Sequence, residues 1–401
     1  MRYRCGADDD YVPSLPATII DKIDKNDPTY KRRIESEEEE FKDFNIYLDL
    51  VNIKNDIKKF GLEQYEDLYI NSMNKAIKTL ESLLKVKKVS APFGFSDEQI
   101  KKVKIDDWNK TMFGTNATGN MITWGVDLII MGRFDDQMPE STLASAGPRY
   151  TDTKTGRPLF GVVNINTKID YSKLNSEHAF QATILHEFTH ILGFLSSYFE
   201  ERYHNIFSKV DEDGVLRSYI NSTKVLEVAR KYFNCPTIDG VELEESGGNG
   251  TVRSHWEARI LLGDYMNGVS YLEEEVISEF TLALLEDSTF YKANYYTGGL
   301  MRYGKGKGCD FVNKKCIISK DVNPLFENEF FSSILSDTYF DASCSSGRLS
   351  RAYHYFGLYE DIPEYYQYFD GERGGFPSAD YCPISLGEYY EGQNIDYVGS
   401  C

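Results

Sequence analysis

Residues 182 to 194 read ATILHEFTHILGF, an apolar, helix-compatible run that carries His186, Glu187 and His190. Histidines at i and i+4 project from one helical face about one turn apart, so their imidazoles can converge on a single zinc ion. Glu187 then sits on an adjacent face. There it can hold the metal-bound water, take its proton and later pass that proton to a leaving amine. The competing reading is a coincidental pair of exposed helix histidines. With only 6 histidines in the chain, that coincidence arises about once in a hundred such sequences, and the apolar flanks argue for a buried segment.

A catalytic zinc site takes three protein ligands and keeps its fourth position for water. The extended metzincin pattern HExxHxxGxxH would supply the third from just beyond the helix. Gly193 is present and lets the chain turn there, but Ser196 stands where the histidine would be. The third ligand therefore comes from His178, His204, His255, His354 or a carboxylate. If helical, His178 lies about 12 Å from His186 along the axis and roughly 80° around it, a poor position. His204 and His354 have aromatic neighbours and read as packing histidines. His255 lies in SHWEARILLGDYMNGVSY (254–271), with Met266 in a Gly-flanked turn 11 residues later. A histidine followed closely by a methionine turn fits the metzincin arrangement, in which a methionine underlies the zinc. A carboxylate ligand would come from Glu200, Glu201, Glu212 or Glu227, none of which sits in an ExxxD-type helix.

Upstream of the helix, FNIYLDLV (44–51) alternates as a strand, and the apolar residues Ile70, Met73, Ile77, Leu80 and Leu84 recur at three- and four-residue steps, predicting a core helix over 63–84. ITWGVDLIIMGRF (122–134) and LFGVVNINTKI (159–169) are β-rich runs separated by a Gly/Pro/Ser/Thr-rich stretch, and read as strands of one sheet. The zinc helix follows over 176–192. The order β, α, β, β, α predicts helices packed on a sheet, an α/β (α+β) fold. Downstream, 196–254 reads as polar and irregular, with GVELEESGGNG (240–250) as a surface loop, and EEVISEFTLALLED (274–287) as a helix. Residues 1–40, with DDD at 8–10 and SEEEE at 36–40, read as a leader or linker.

The chain has 401 residues, 41% of them apolar, which allows two or three cored domains. A formal net charge of −19 repels phosphate backbones and excludes nucleic acid as a partner. The longest apolar runs are strand-sized, far short of the roughly 20 residues of a membrane helix. Cysteines at 5, 235, 309, 316, 344, 382 and 401 concentrate in the second half with the spacing of a disulfide framework. An oxidising, secretory compartment follows, and sequons at Asn109, Asn116, Asn221 and Asn249 agree with it.

HEFTHILGF (186–194), SHWEARILLGDYMNG (254–268), FTLALLEDSTFY (280–291) and RPLFGVVNIN (157–166) together resemble segments of the leishmanolysin family of zinc endopeptidases, in the same order. The resemblance is good over 44–316 and thin afterwards. It implies a metzincin-like catalytic domain with a twisted mixed sheet over 41–195 and a central α-rich domain over 196–300 holding the third ligand and Met-turn. A Cys-rich, loop-rich domain over 301–401 would follow, and 1–40 would be a pro-segment. Carried over by position, it implies one zinc per chain on His186, His190 and His255, Glu187 as catalytic base and acid, and Met266 as the floor. It further implies protein or peptide substrates bound extended in a cleft between the N-terminal and central domains. An edge strand would pair with the substrate backbone, with 122–134 as the candidate edge, and the location would be extracellular or cell-surface, with any anchor outside this chain. Family pro-segments carry a cysteine that latches the zinc. Here Cys5-Gly6-Ala7-Asp8 puts Ala7 where the family has histidine, and the ASAGPRY stretch (144–150) lacks the expected cysteine. Pairing of Cys5 with a distal cysteine, or a free thiol, is the alternative to the latch. The function alternative is a catalytically weak adhesion or binding module of the same fold.

Overall fold

A computed structural model describes residues 15–19, 41–88, 93–95, 98, 114–115, 121–122, 125–170, 177–211, 214–248, 250–269, 275–318, 321–322, 326, 329–331, 342–348 and 351–387. Cys5 and its latch, with Cys401, lie outside the described residues, as do Asn109, Asn116, Asn249 and Glu212. The chain forms two compact units. One runs through residues 9–194 and takes back Ser288–Thr297; the other joins Leu195–Asp287 to the chain from Gly298 onward.

The first unit is a mixed sheet with helices on it. Its elements are β1 (Leu15–Ile19), β2 (Phe41–Asp43), β3 (Ile46–Asp49), α1 (Val51–Phe60), α2 (Glu66–Leu83), β4 (Leu84–Lys87), β5 (Phe93–Phe95), β6 (Gly114–Thr115), β7 (Met121–Ile122), β8 (Leu128–Asp135), β9 (Ala144–Asp152), β10 (Pro158–Asn166) and α3 (Glu177–Ile191). Eight strands form one sheet in the order β3-β8-β10-β9-β1-β5-β7-β6. β3, β8 and β10 are mutually parallel, and β9 runs antiparallel to β10. Parallel interior strands are covered on both faces and tend to continuous apolar runs. That is why Leu128, Ile129, Ile130 and Met131 are all fully buried.

The stretch around 122–134 is consequently not the sheet's edge. Met121–Ile122 is β7, while β8 lies inside, between β3 and β10. The low-propensity segment Ala144–Asp152, expected as a connection, is instead strand β9, paired with β10 from Ile165↔Ala144 to Pro158↔Thr151. Its ladder holds it in place without the cysteine that the family resemblance led one to expect. Residues 15–19, expected as part of a linker, form β1.

The helices bury one stripe each. Tyr69, Met73, Ile77, Leu80 and Leu83 of α2 are buried, and the Tyr69 ring meets Phe134 of β8 at 4.9 Å and Phe180 of α3 at 5.2 Å. α1 was not foreseen: Asp49 accepts the Val51 N–H at its start, and Gly61 at φ 68° ends it, its N–H bonding back to Lys58. Glycine is required where α3 crosses β10, because a Cβ on Gly161 would stand 2.2 Å from Ile191 Cγ2.

The second unit contains β11 (Ile206–Val210), β12 (Leu216–Ile220), α4 (Thr223–Phe233), β13 (Val241–Glu242) and α5 (Glu279–Asp287). The described residues of 196–254 therefore form regular elements rather than an irregular stretch. β11-β12-β13 make a sheet, and Phe233 of α4 packs on Phe280 of α5 at 5.5 Å. Glu242 and Glu244 in the expected surface loop are both 1% exposed. Disulfides join Cys235 to Cys309 and Cys316 to Cys382, and Cys344 is also disulfide-bonded. No described helix is long and apolar enough to cross a membrane.

Candidate metal centre

α3 delivers its histidines because its last turns are buried: Ile184, Phe188 and Ile191 are fully covered, and so is His190. The helix closes on Gly193 at φ 106°, in the left-handed region that suits glycine. Its N–H bonds to the His190 carbonyl, and the Phe194 N–H returns to Thr189. This turn brings the Phe194 carbonyl to 2.6 Å from His190 Nδ1. A carbonyl only accepts, so Nδ1 carries the proton and Nε2 presents a lone pair, the arrangement expected of a metal-binding histidine. His190 Nε2 stands 3.0 Å from His186 Nε2, near the roughly 3.4 Å edge of a tetrahedron with zinc–nitrogen bonds. Glu187, between them in sequence, is 1% exposed.

In the second unit His255 is fully buried, and its Nδ1 lies 2.9 Å from the Thr251 carbonyl. The same logic leaves the lone pair on Nε2. Gly268 keeps this corner open, since a Cβ there would press on Thr251 at 2.3 Å. The following turn is held by side chains. Asp264 Oδ1 accepts the Met266 N–H at 2.6 Å, Asn267 bonds both Gly263 N–H and the Trp256 carbonyl, and the Trp256 N–H bonds the Met266 carbonyl. Met266 itself is fully buried. Burial raises the Asp264 carboxyl to about 7 against bonds from Ser278, Met266 and Thr281 that favour its charge.

His186 and His190 of the first unit and His255 of the second are buried imidazoles that can each offer a ligand atom. Imidazole donors suit zinc and similar borderline metals, and offer a hard cation none of the oxygens it prefers. The remaining candidates do not join them. His204 ends a helical turn at φ 50° and is exposed rather than packed. His354 stacks on Phe331 at 3.8 Å. Glu200, Glu201 and Glu227 are exposed, and Glu200 pairs with Arg253. The side chain of His178 lies outside the described residues. An acidic trio, Glu242, Glu257 and Asp380, meets within 4.8 Å, but Arg217 and Arg259 bridge Glu242 and Asp380. That makes it a buried ion-pair network. The sequence reading placed Glu242 on a surface loop, and only its pairing with Arg217 and Arg259 reveals its burial.

The sequence profile of the peptidase family described as Leishmanolysin matches residues 67–394. The chain belongs to the leishmanolysin family. Among its relatives, a leishmanolysin homolog of Crithidia fasciculata is 31% identical over 57% of this chain and 34% of that protein. A leishmanolysin-like peptidase of Drosophila melanogaster is 28% identical over 65% of this chain and 45% of that protein. Leishmanolysin of Leishmania tropica is 28% identical over 58% and 34%. The matches thus span between a third and a half of these relatives' length. Residues 186–194 and 255–268 both lie inside the stretch matched by the leishmanolysin profile.

Proposed function

We propose that this chain is a zinc metalloendopeptidase that hydrolyses peptide bonds of proteins in an extracellular or cell-surface setting. The observation that carries the reading is the pair of buried histidines, His186 and His190, whose Nε2 atoms stand 3.0 Å apart on the helix that also bears Glu187. His186, His190 and His255 would hold the ion, and a zinc ion there would polarise the scissile carbonyl and acidify the attacking water. Glu187 takes the proton of that water and returns it to the leaving amine nitrogen, which a carboxylate buried beside the reaction centre can do without reorganising solvent. The carbonyls of Phe194 and Thr251 hold two imidazoles in the tautomer that keeps Nε2 for the metal. Met266, fixed by Asp264, forms the floor. The disulfides support an oxidising compartment, and Cys5 supplies a latch on the metal in the uncleaved chain. An intact donor set with its general base argues against the adhesion-module alternative.

The test is hydrolysis of a quenched fluorescent protein substrate by zinc-loaded chain, beside Glu187→Ala and His255→Ala. Glu187→Ala should keep bound zinc and lose turnover, while His255→Ala should lose both. Full zinc occupancy in His255→Ala would remove His255 from the ligand set, and turnover by Glu187→Ala would remove the general base.

A further inference from the structure

Residues 280–285 of α5 read FTLALL, and every one of them is buried. Thr281 is the only polar side chain among them. A buried hydroxyl without a partner costs free energy, and a threonine inside a helix ordinarily bonds back to a carbonyl of its own helix. Thr281 Oγ1 turns to two other side chains instead. It accepts the Trp256 indole N–H at 2.9 Å and stands 3.1 Å from each oxygen of the Asp264 carboxyl. An indole nitrogen only donates, so the single hydroxyl proton is left for Asp264.

These bonds close a ring. The Trp256 backbone N–H donates to the Met266 carbonyl, and the Met266 N–H donates to Asp264 Oδ1. Asp264 accepts the Thr281 hydroxyl, and Thr281 accepts the Trp256 indole N–H. Trp256, Asp264 and Met266 all lie on the strap that runs from His255 to Gly268. Thr281 alone comes from outside it, on a helix whose start also grips the ring. Ser278 accepts the N–H groups of Phe280 and Thr281 there, and hydrogen-bonds the Asp264 carboxyl. All four ring members are buried, so a broken link strands a polar atom. Trp256 directly follows His255, so looseness at the indole is passed to the backbone that carries the imidazole.

We propose that Thr281 is a positioning residue for His255 as a metal ligand, its hydroxyl fastening the residue after His255 to the carboxyl that sets the Met266 turn. It offers the metal no ligand atom and acts through Trp256 and Asp264. This inference rests on the metal-site reading of His255 and extends it to a helix that contributes no ligand. Hydrogen bonds behind the ligands fix their orientation, and losing one lowers metal affinity by about 10- to 100-fold.

The experiment uses the full chain and compares Thr281→Val, which keeps the shape and removes the hydroxyl, with Thr281→Ser, which keeps the hydroxyl. Zinc affinity is read by competition with a chromophoric chelator, and the visible absorption of the cobalt-substituted chain reports ligand geometry. Thr281→Val should weaken zinc binding by about tenfold or more and shift the cobalt bands, whereas Thr281→Ser should stay within about threefold of the unsubstituted chain. Trp256→Phe removes the other end of the same bond, so adding it to Thr281→Val should cost little more than either change alone. Leu282→Ala opens a cavity in the same helix and takes no part in the ring. It should lower the Tm of the metal-free chain and leave zinc affinity and the cobalt bands in place. Unchanged affinity and bands in Thr281→Val, or a loss that Thr281→Ser fails to restore, overturn the proposal whatever happens to Tm. An equal loss of affinity in Leu282→Ala overturns it too, since general loosening would then account for the effect. If Thr281→Val does not fold, Trp256→Phe carries the same expectation, and normal zinc binding there sinks the idea. An unsubstituted chain that binds no zinc overturns the positioning role together with the metal site. Weakened binding restored by serine, with no hydrolysis by any form, instead removes the endopeptidase reading and leaves the positioning role standing.

Discussion

His190 shows how a single backbone turn sets side-chain chemistry. Gly193 reverses the chain, the Phe194 carbonyl comes to 2.6 Å from Nδ1, and the imidazole is left with its Nε2 lone pair for a metal. Beside it, Glu187→Gln keeps shape and removes basicity. The expected outcome is a fall in kcat of about 10²–10⁴-fold with KM and zinc content little changed, read by steady-state kinetics and metal analysis. Asp264 carries a second residue-scale consequence. Burial raises its carboxyl to about 7 from the ordinary 3.8, so the folded chain keeps a proton that the unfolded chain has lost. The stability this contributes is fully present below the unfolded pKa and is lost as pH rises through about 7. Asp264→Asn cannot ionise. With chelator present throughout, its Tm relative to the unsubstituted chain should rise between about pH 4 and pH 8. A difference that stays flat across that window would mean Asp264 ionises normally.

At the scale of elements, α2 and α3 were legible because their apolar spacing matches the helical repeat, and β8 and β10 because their runs are β-branched and apolar. β9 was not, since ASAGPRYTD has the composition of a turn. Its strand conformation comes from pairing with β10, the context dependence that weakens β-propensity as a guide. α1 escaped because only Ile53 and Ile57 of it are buried, too few for a readable stripe. The docking of α3 on β10 depends on the missing side chain at Gly161. Gly161→Ala should cost about 1–3 kcal/mol by overpacking against Ile191, read by urea unfolding. Adding Ile191→Val should not relieve it, because Cγ1 and Cβ of Ile191 also stand within 3.0 Å, whereas Ile191→Ala should recover part. An undisturbed Gly161→Ala would mean that α3 sits farther from the sheet.

Across the whole chain, the second unit is held together by groups far apart in sequence. Asp380 meets Arg217 at 2.6 Å and Arg259 at 3.3 Å, and both arginines also grip Glu242. All four are nearly covered. Removing one member of such a buried set strands its partners' charge, so Asp380→Ala should lower stability by about 3–5 kcal/mol in urea unfolding. Asp239→Ala, which breaks the exposed pair with Lys209, should change it by under about 1 kcal/mol. Equal effects would mean that the buried network is no more costly to break than a surface pair. The Cys316–Cys382 disulfide closes the same region across 66 residues.

Much of the proposed metal centre is argued from the sequence itself. The i, i+4 spacing of His186 and His190 is a local property of a helix, and Glu187, Gly193 and the pairing of His255 with Met266 lie within short stretches where spacing alone carries the chemistry. The environment that favours His255 over His204 is of a different kind. It depends on Thr251 and Gly268 around one ring and on the exposure of the other, and burial is a property of the folded chain. The same holds for Glu242, whose character as core rather than loop depends on Arg217 and Arg259, 25 and 17 residues away. It holds for β1 as well: five residues that read as linker become a strand only because β9 and β5 present edges to it. Local periodicity is written along the chain, whereas partners separated by long loops are chosen by packing and hydrogen-bond satisfaction.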